Sequence, residues 1–185
     1  MGTIAVHEFV SLDGVFQDPS WTMDYGFDPL MGDDIGRITR ASDAILLGRR
    51  TFEMFAPAWS TRTAADDPGA PFFNDTQKAV VSGSLDDAAA EATWRNSRSL
   101  GAYDAETLRA FKGGVSGGIY ISGSGSLVRA LLADGLVDSL HLFVYPVVLG
   151  TGERLFPEGS AEARLRLRHS DAYDNGVLHL HYSPA

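Results

Sequence analysis

Twice in this chain an apolar run meets a glycine and passes at once into a helical pattern. The first instance is Ile45-Leu-Leu-Gly48-Arg-Arg-Thr51-Phe-Glu53; the second is Ile119-Tyr-Ile-Ser-Gly123-Ser-Gly125-Ser-Leu-Val128. A strand that turns into a helix belongs to an α/β architecture, in which helices carry the chain between parallel strands. The rest of the sequence agrees. Thr3–Val10 is β-rich and ends in the turn Ser11-Leu-Asp-Gly14, and Leu30–Ala41 has helical spacing. Asp43–Leu47 and Lys78–Ser82 are short strands of the buried type. Thr51–Ala56 is a short helix limited by Pro57, and residues 57–76 are expected to be irregular. Thr93–Ser99 is a weak strand, Asp104–Phe111 a helix, Gly118–Ser122 a strand and Ser126–Ala133 a helix. A long strand follows in Asp138–Val148. Arg164–Tyr173 and Val177–Tyr182 then flank the hairpin turn Asp174-Asn-Gly176. The expectation is one α/β domain over residues 1–185. Its central sheet is mixed but mostly parallel, with a C-terminal antiparallel hairpin and helices on both faces.

Charge narrows the partners. Fifteen basic against 24 acidic residues give a net charge of −9. Two of the basic residues are lysines, and the thirteen arginines are scattered. Nucleic-acid binders draw most of their affinity from basic faces, so neither nucleic acid nor an anionic membrane is an expected partner. There are no cysteines, which excludes disulfides, cysteine–zinc sites and thiol catalysis. No apolar run approaches the ~18 residues of a membrane span. The segment MGTIAVHEFVSLDG has no basic region before its apolar stretch, unlike a signal peptide. A cytoplasmic protein is expected.

Glycine at the two corners lets a ligand approach the backbone, and the free N–H groups of the first helical turn face a phosphate. Such corners also occur as plain packing features, and Val128 stands where a dinucleotide fingerprint has its third glycine. Arg49 and Arg50 sit at a strand end, where α/β sheets collect ligands, and a guanidinium fork suits phosphate oxygens. The other reading is a solvated pair held by Glu53.

The segments SLDG (11–14), LLGRRTFE (46–53), VVS (80–82), ISGSGSL (121–127) and PVVLGTGERLF (146–156), in this order, resemble the dihydrofolate reductase-like family. They are most similar to its bacterial standalone members related to the reductase domain of riboflavin biosynthesis. The resemblance covers nearly the whole chain and implies a three-layer fold with about eight strands. It also implies NADPH as cofactor and hydride transfer to a C=N or C=O bond of a small heterocyclic substrate. Reduction of the ribosylaminopyrimidine intermediate of riboflavin synthesis is the alternative within enzymes; nucleotide binding without turnover is the alternative outside them. By position, Gly48, Arg49, Arg50 and Thr51 look like the segment on the cofactor's 2′-phosphate and pyrophosphate side. Ser82 looks like an adenosine-side contact, and Gly123, Ser124, Gly125, Ser126 and Leu127 like the second pyrophosphate-binding turn. The family has a glycine–glycine bond, often cis, where this chain has Gly123-Ser124.

The remaining candidates belong to a substrate pocket. Asp33 and Asp34 fall near the family's acid on the first helix and are expected to supply or relay a proton. Asp13, Phe16, Trp21 and Tyr145 are expected to border the pocket, with Tyr25 and Phe27 in the same aromatic loop as Trp21. His179 and His181 share one face of a strand, but no carboxylate cluster stands nearby in sequence, and no metal is expected. The terminal hairpin lies at an expected sheet edge, and edges are commonly covered by a second copy, so a homodimer is expected.

Overall fold

The computed structural model describes all 185 residues. Alternation along β1 (Thr3–Ser11) sends Ile4, Val6 and Val10 into the core on one side of the sheet, and His7 and Phe9 to the other. There follow α1 (Pro29–Arg40), β2 (Ser42–Gly48), α2 (Arg49–Trp59), α3 (Ala70–Asp75), β3 (Gln77–Val81), α4 (Asp87–Thr93) and β4 (Ser97–Ser99). The chain continues through α5 (Ala105–Gly114), β5 (Gly118–Ile121), α6 (Gly125–Ala133), β6 (Ser139–Tyr145), β7 (Leu165–Ala172) and β8 (Leu178–Pro184). The eight strands form one sheet in the order β4-β3-β2-β5-β1-β6-β8-β7. From β4 to β6 all neighbours are parallel; β8 pairs antiparallel with β6 and with β7. This is the mixed sheet and terminal hairpin that the sequence implies.

Two helical layers cover the sheet. Leu108 of α5 and Leu127, Val128 and Leu131 of α6 pack with Ile4, Val6, Leu46, Ile119 and Ile121 in a cluster of 16 buried residues. On the opposite face, Ile38, Phe52, Ala56, Phe73, Ala90 and Trp94 bring α1, α2, α3 and α4 onto Ile45, Leu47 and Val80. That face continues into a smaller cluster, where Met31 of α1 meets Phe143, Tyr145, Tyr173 and Val177. No helix is long and apolar enough to cross a membrane.

Tertiary contacts override some local signals. Helix α2 does not stop before Pro57 but runs to Trp59. Trp59 stacks on Phe73 at 4.2 Å, and its carbonyl accepts from Asn74 Nδ2 at 2.9 Å, which anchors the last turn. The segment 57–76, expected to be irregular, contains α3. Helix α4 forms where the sequence marks no element; Asp86 caps it by accepting from the Ala89 N–H at 2.8 Å. Strand β4 is shorter than expected, and β6 ends at Tyr145, because Pro146 cannot donate to the ladder.

The chain's two lysines are both buried. Lys78 Nζ donates to the carbonyls of Phe73 (2.9 Å) and Thr76 (2.8 Å) and lies 4.7 Å over the Trp94 ring. Burial pulls its pKa down to about 8. Lys112 Nζ donates to Leu136 O at 2.9 Å and pairs with Asp138 at 2.6 Å. Lys78 therefore ties the end of α3 to β3. Replacing it with methionine keeps the apolar stem and orphans the carbonyls it satisfies. Lys78→Met should destabilise the fold by roughly 2–4 kcal/mol, read as a lowered urea midpoint at unchanged slope.

Candidate active site

Neighbouring strands β2 and β5 send their helices to opposite faces of the sheet. Phe52 and Ala56 of α2 pack on one side and Leu127, Val128 and Leu131 of α6 on the other. Such a divergence opens a crevice beyond the carboxyl ends of the two strands, where α/β sheets bind ligands. Both glycine corners lie at this point and interlock. The Gly48 N–H donates to Gly123 O at 3.4 Å. A Cβ on Gly48 would stand 2.2 Å from Ser124 Oγ, so only glycine fits there. Gly123 has φ +84 and a cis bond to Ser124; a Cβ on it would lie 2.7 Å from Thr51 Oγ1.

Three helices start from aspartate caps, and the short α3 starts at Gly69 without one. Asp28, Asp86 and Asp104 side chains cap α1, α4 and α5. The helices that leave the corners have no side-chain cap: Gly48 precedes α2, and Ser124 precedes α6 without bonding its first turn. Their first-turn N–H groups are free for an anion, and the helix dipoles favour one.

The residues expected to hold a dinucleotide gather here. Thr51 and Leu127 are buried at the corners, and Ser126 Oγ lies 3.1 Å from Ser124 Oγ. Gly125 is covered by Phe16, whose Cζ would be 2.4 Å from a Cβ at that position. Phe16 thus belongs to the glycine turn. Arg49 Nε donates to Glu53 at 2.6 Å, and its guanidinium also bonds Ser84 Oγ. Arg50 is 88% exposed and 3.7 Å from Glu153. Ser82 Oγ accepts from the N–H groups of Ser84 (3.3 Å) and Leu85 (3.1 Å), shaping the turn that presents Ser84 to Arg49. A cavity of about 240 Å³ between α6 and residues 156–165 is lined by none of these residues.

Other expected pocket residues are engaged elsewhere. Asp13 accepts from Ser11 Oγ (2.6 Å) and from the N–H groups of Leu149 (3.1 Å) and Gly150 (2.9 Å), which lowers its pKa to about 2. Its carboxylate clasps the SLDG turn to the loop after β6. Tyr145 is buried, with Trp21 and Tyr25 edge-on at 5.4 and 5.6 Å and its hydroxyl 3.8 Å from Met31 Sδ. Burial pushes its pKa up to about 12. Trp21 and Tyr145 thus pack the core edge under α1. The two aspartates of α1 separate, because consecutive helical positions point about 100° apart. Asp33 is exposed. Asp34 is buried, with Arg37 on one carboxylate oxygen and the Tyr173 hydroxyl on the other. Neither offers a free proton donor at the glycine corners.

Sequence reasoning passed over Glu8 and His7, although alternation along β1 points Glu8 inward between Val6 and Val10. Glu8 is 5% exposed, its Oε1 has no hydrogen-bond partner, and it would lie 3.7 Å from a Cβ on Gly123. Burial raises its pKa to about 8, tempered by the nearby Gly123 amide, so at neutral pH it is a protonated acid beneath the second corner. On the other face His7 is also buried. Its Nδ1 lies 2.9 Å from Tyr120 Oη, and burial, with His179 adding a like-charge effect, lowers its pKa to about 3.

Glu8 gives the fold a pH signature. Unfolded, it ionises near 4.5; folded, it keeps its proton to about 8. Its contribution is intact below the lower value and lost as pH rises to the upper one, at up to about 1.4 kcal/mol per pH unit. Glu8→Gln should remove that loss. Thermal melts between about pH 5 and about pH 8 should show the melting temperature of the wild type falling relative to the variant.

Comparison with known proteins gives the same architecture. YyaP of Bacillus subtilis (strain 168) is 26% identical over 181 residues, covering 94% of this chain and 90% of its own. A Shewanella sp. PV-4 protein named for riboflavin biosynthesis superposes with a TM-score of 0.77 at 16% identity, over 99% of each chain. Dihydrofolate reductase from Enterococcus faecalis, solved with NADP(H), superposes with a TM-score of 0.62 at 16% identity, covering 99% of this chain and 96% of its own. At such identities the structural matches establish the dihydrofolate reductase-like fold. The RibD C-terminal domain model matches residues 3–179, nearly the whole chain, and the chain belongs to that family.

Proposed function

We propose that this protein is an NADPH-dependent reductase acting on a C=N or C=O bond of a small heterocyclic substrate. The observation that carries the reading is the meeting of two uncapped helix N-termini at the β2–β5 crevice, with Arg49 and Arg50 beside them. Free N–H groups and two guanidinium groups suit a ligand with a pyrophosphate and a further phosphate. The Enterococcus faecalis reductase of the same fold was solved with NADP(H), which supports the choice of ligand. When bound, the cofactor supplies the hydride, and the protein orients it. The corners hold the pyrophosphate, Arg49 and Arg50 take the 2′-phosphate, and Phe16 borders the nicotinamide end. Asp33 lies in solvent and Asp34 is bound by Arg37 and Tyr173, so water delivers the proton.

Titrating both nicotinamide cofactors tests the reading. NADPH should bind about tenfold to a hundredfold more tightly than NADH, and the Arg49→Ala/Arg50→Ala variant should lose that preference. Equal affinities in the wild type would sink it. Turnover with a panel of pteridines, ribosylaminopyrimidines and quinones separates a reductase from a nucleotide-binding protein without activity. Asp33→Asn should leave that turnover within about twofold.

We also propose a homodimer that covers the outer edge of β7. This strand is largely exposed and presents Leu167, 51% exposed, beside Arg166 and Arg168. Light scattering at low micromolar concentration should give twice the chain mass of 19.9 kDa; the mass of a single chain would exclude it.

A further inference from the structure

Under α1, on the face of the sheet away from α6, three metal-ligating side chains converge from three elements. Asp171 of β7 and His179 of β8 are directly paired across the hairpin, and α1 lays Asp34 over them. One ligand atom from each lies within 4.8 Å of the other two. The side chains of Asp34 and His179 are about 5% exposed. The decisive feature is His179 Nδ1, a buried nitrogen without a hydrogen-bond partner, 3.5 Å from Asp34 Oδ2. The other ring nitrogen, Nε2, is 3.0 Å from His141 Nδ1.

Each neutral tautomer of His179 leaves a defect. If Nε2–H donates to His141, the Nδ1 lone pair faces a carboxylate oxygen, and two electron-rich atoms repel. If His141 donates to Nε2, the proton on Nδ1 points at an oxygen too distant for a good hydrogen bond. A cation between Nδ1 and the two carboxylates removes the first defect. It would also leave Nε2–H donating to an outer acceptor, the usual arrangement of a ligating histidine. The carboxylates are already oriented from outside: Arg37 and the Tyr173 hydroxyl hold Asp34, and His169 Nε2 lies 2.7 Å from Asp171 Oδ2. Arg37 reaches its Asp34 oxygen from the solvent side, its side chain 64% exposed.

We propose that Asp34, Asp171 and His179 bind one divalent first-row transition-metal ion, clasping α1 to the terminal hairpin. One imidazole and two carboxylates suit zinc or manganese better than magnesium, which prefers an all-oxygen shell that retains several waters. The site is separate from the glycine corners and stands or falls independently of NADPH binding.

The test uses the full chain, stripped with a chelator and titrated with zinc, manganese or magnesium by calorimetry, without cofactor. One zinc per chain should bind at about micromolar affinity or better, with magnesium at least about a hundredfold weaker. Saturating zinc should raise the melting temperature. Asp171→Asn, on the partly exposed edge strand, should weaken zinc binding at least about thirtyfold while the metal-free melting temperature holds. His179→Gln should do the same, with its fold checked by circular dichroism. His181→Gln, outside the cluster, should bind zinc like the wild type. No zinc binding up to about millimolar concentration would overturn the proposal. So would binding retained in both Asp171→Asn and His179→Gln, or lost in His181→Gln.

Discussion

The layers of this protein are registered by a contact in which one residue has no side chain. Gly48 ends β2 and Gly123 follows β5, and the two backbones approach until a methyl group at Gly48 would sit 2.2 Å from Ser124 Oγ. Helices α2 and α6 hang from these corners on opposite faces, so the approach positions both layers at once. The strands beneath are rigid: Leu46, Leu47, Ile119 and Ile121 are fully buried. A side chain forced in at Gly48 would have to shift the Ser124 backbone as well as its hydroxyl, and interiors packed at crystal-like density yield little. The same closeness brings two sets of free N–H groups to one crevice.

The two faces of the sheet hold their polar groups differently. Beneath α6, Glu8 is a buried acid among aliphatic neighbours, and burial keeps its proton on. Beneath α1, aromatic rings alternate with imidazoles: His179 stacks on Phe143 at 4.4 Å, and His141 stacks on His181 at 4.1 Å. Burial lowers the pKa of His7 and His141 to about 3 and that of His179 to about 4. The shifts have opposite signs and one result, since desolvation penalises whichever form is charged. At neutral pH, Glu8 and these histidines carry no charge, whereas Asp34 is matched by Arg37.

Local chemistry determined what could be read from the sequence. Strand–glycine–helix corners and the Asp-Asn-Gly turn are short-range signals, whereas the order of the eight strands is set by long-range pairing and was not legible. The two glycine corners were legible because Gly48 to Thr51 and Gly123 to Leu127 are contiguous segments. The α1-face cluster was not, because residues 34, 141, 171 and 179 meet only once the hairpin has docked. No run of carboxylates adjoins His179 and His181 in sequence, yet Asp171 is the cross-strand partner of His179. The side chains of Asp13 and Tyr145 can do chemistry, which makes them candidates in sequence; in the fold Asp13 clasps a loop and Tyr145 packs in an aromatic cluster. Helix α4 escaped notice because Asp87–Thr93 is alanine-rich, with no apolar stripe to mark a period.

The cationic side of the crevice follows from the use of charge in the whole chain. Both lysines are buried in structural roles, which leaves arginine to supply positive charge at the surface. Arg49 and Arg50 are held by Glu53 and Glu153 in exposed pairs. Exposed pairs contribute about 0–1 kcal/mol, so releasing either guanidinium costs little. A phosphate at the corners would exchange these weak partners for bonds from guanidinium groups and helix N-termini together. On the proposed reading, a protein of net charge −9 would need no basic patch for its anionic ligand, because the cations are local and the helix ends supply fixed partial charges.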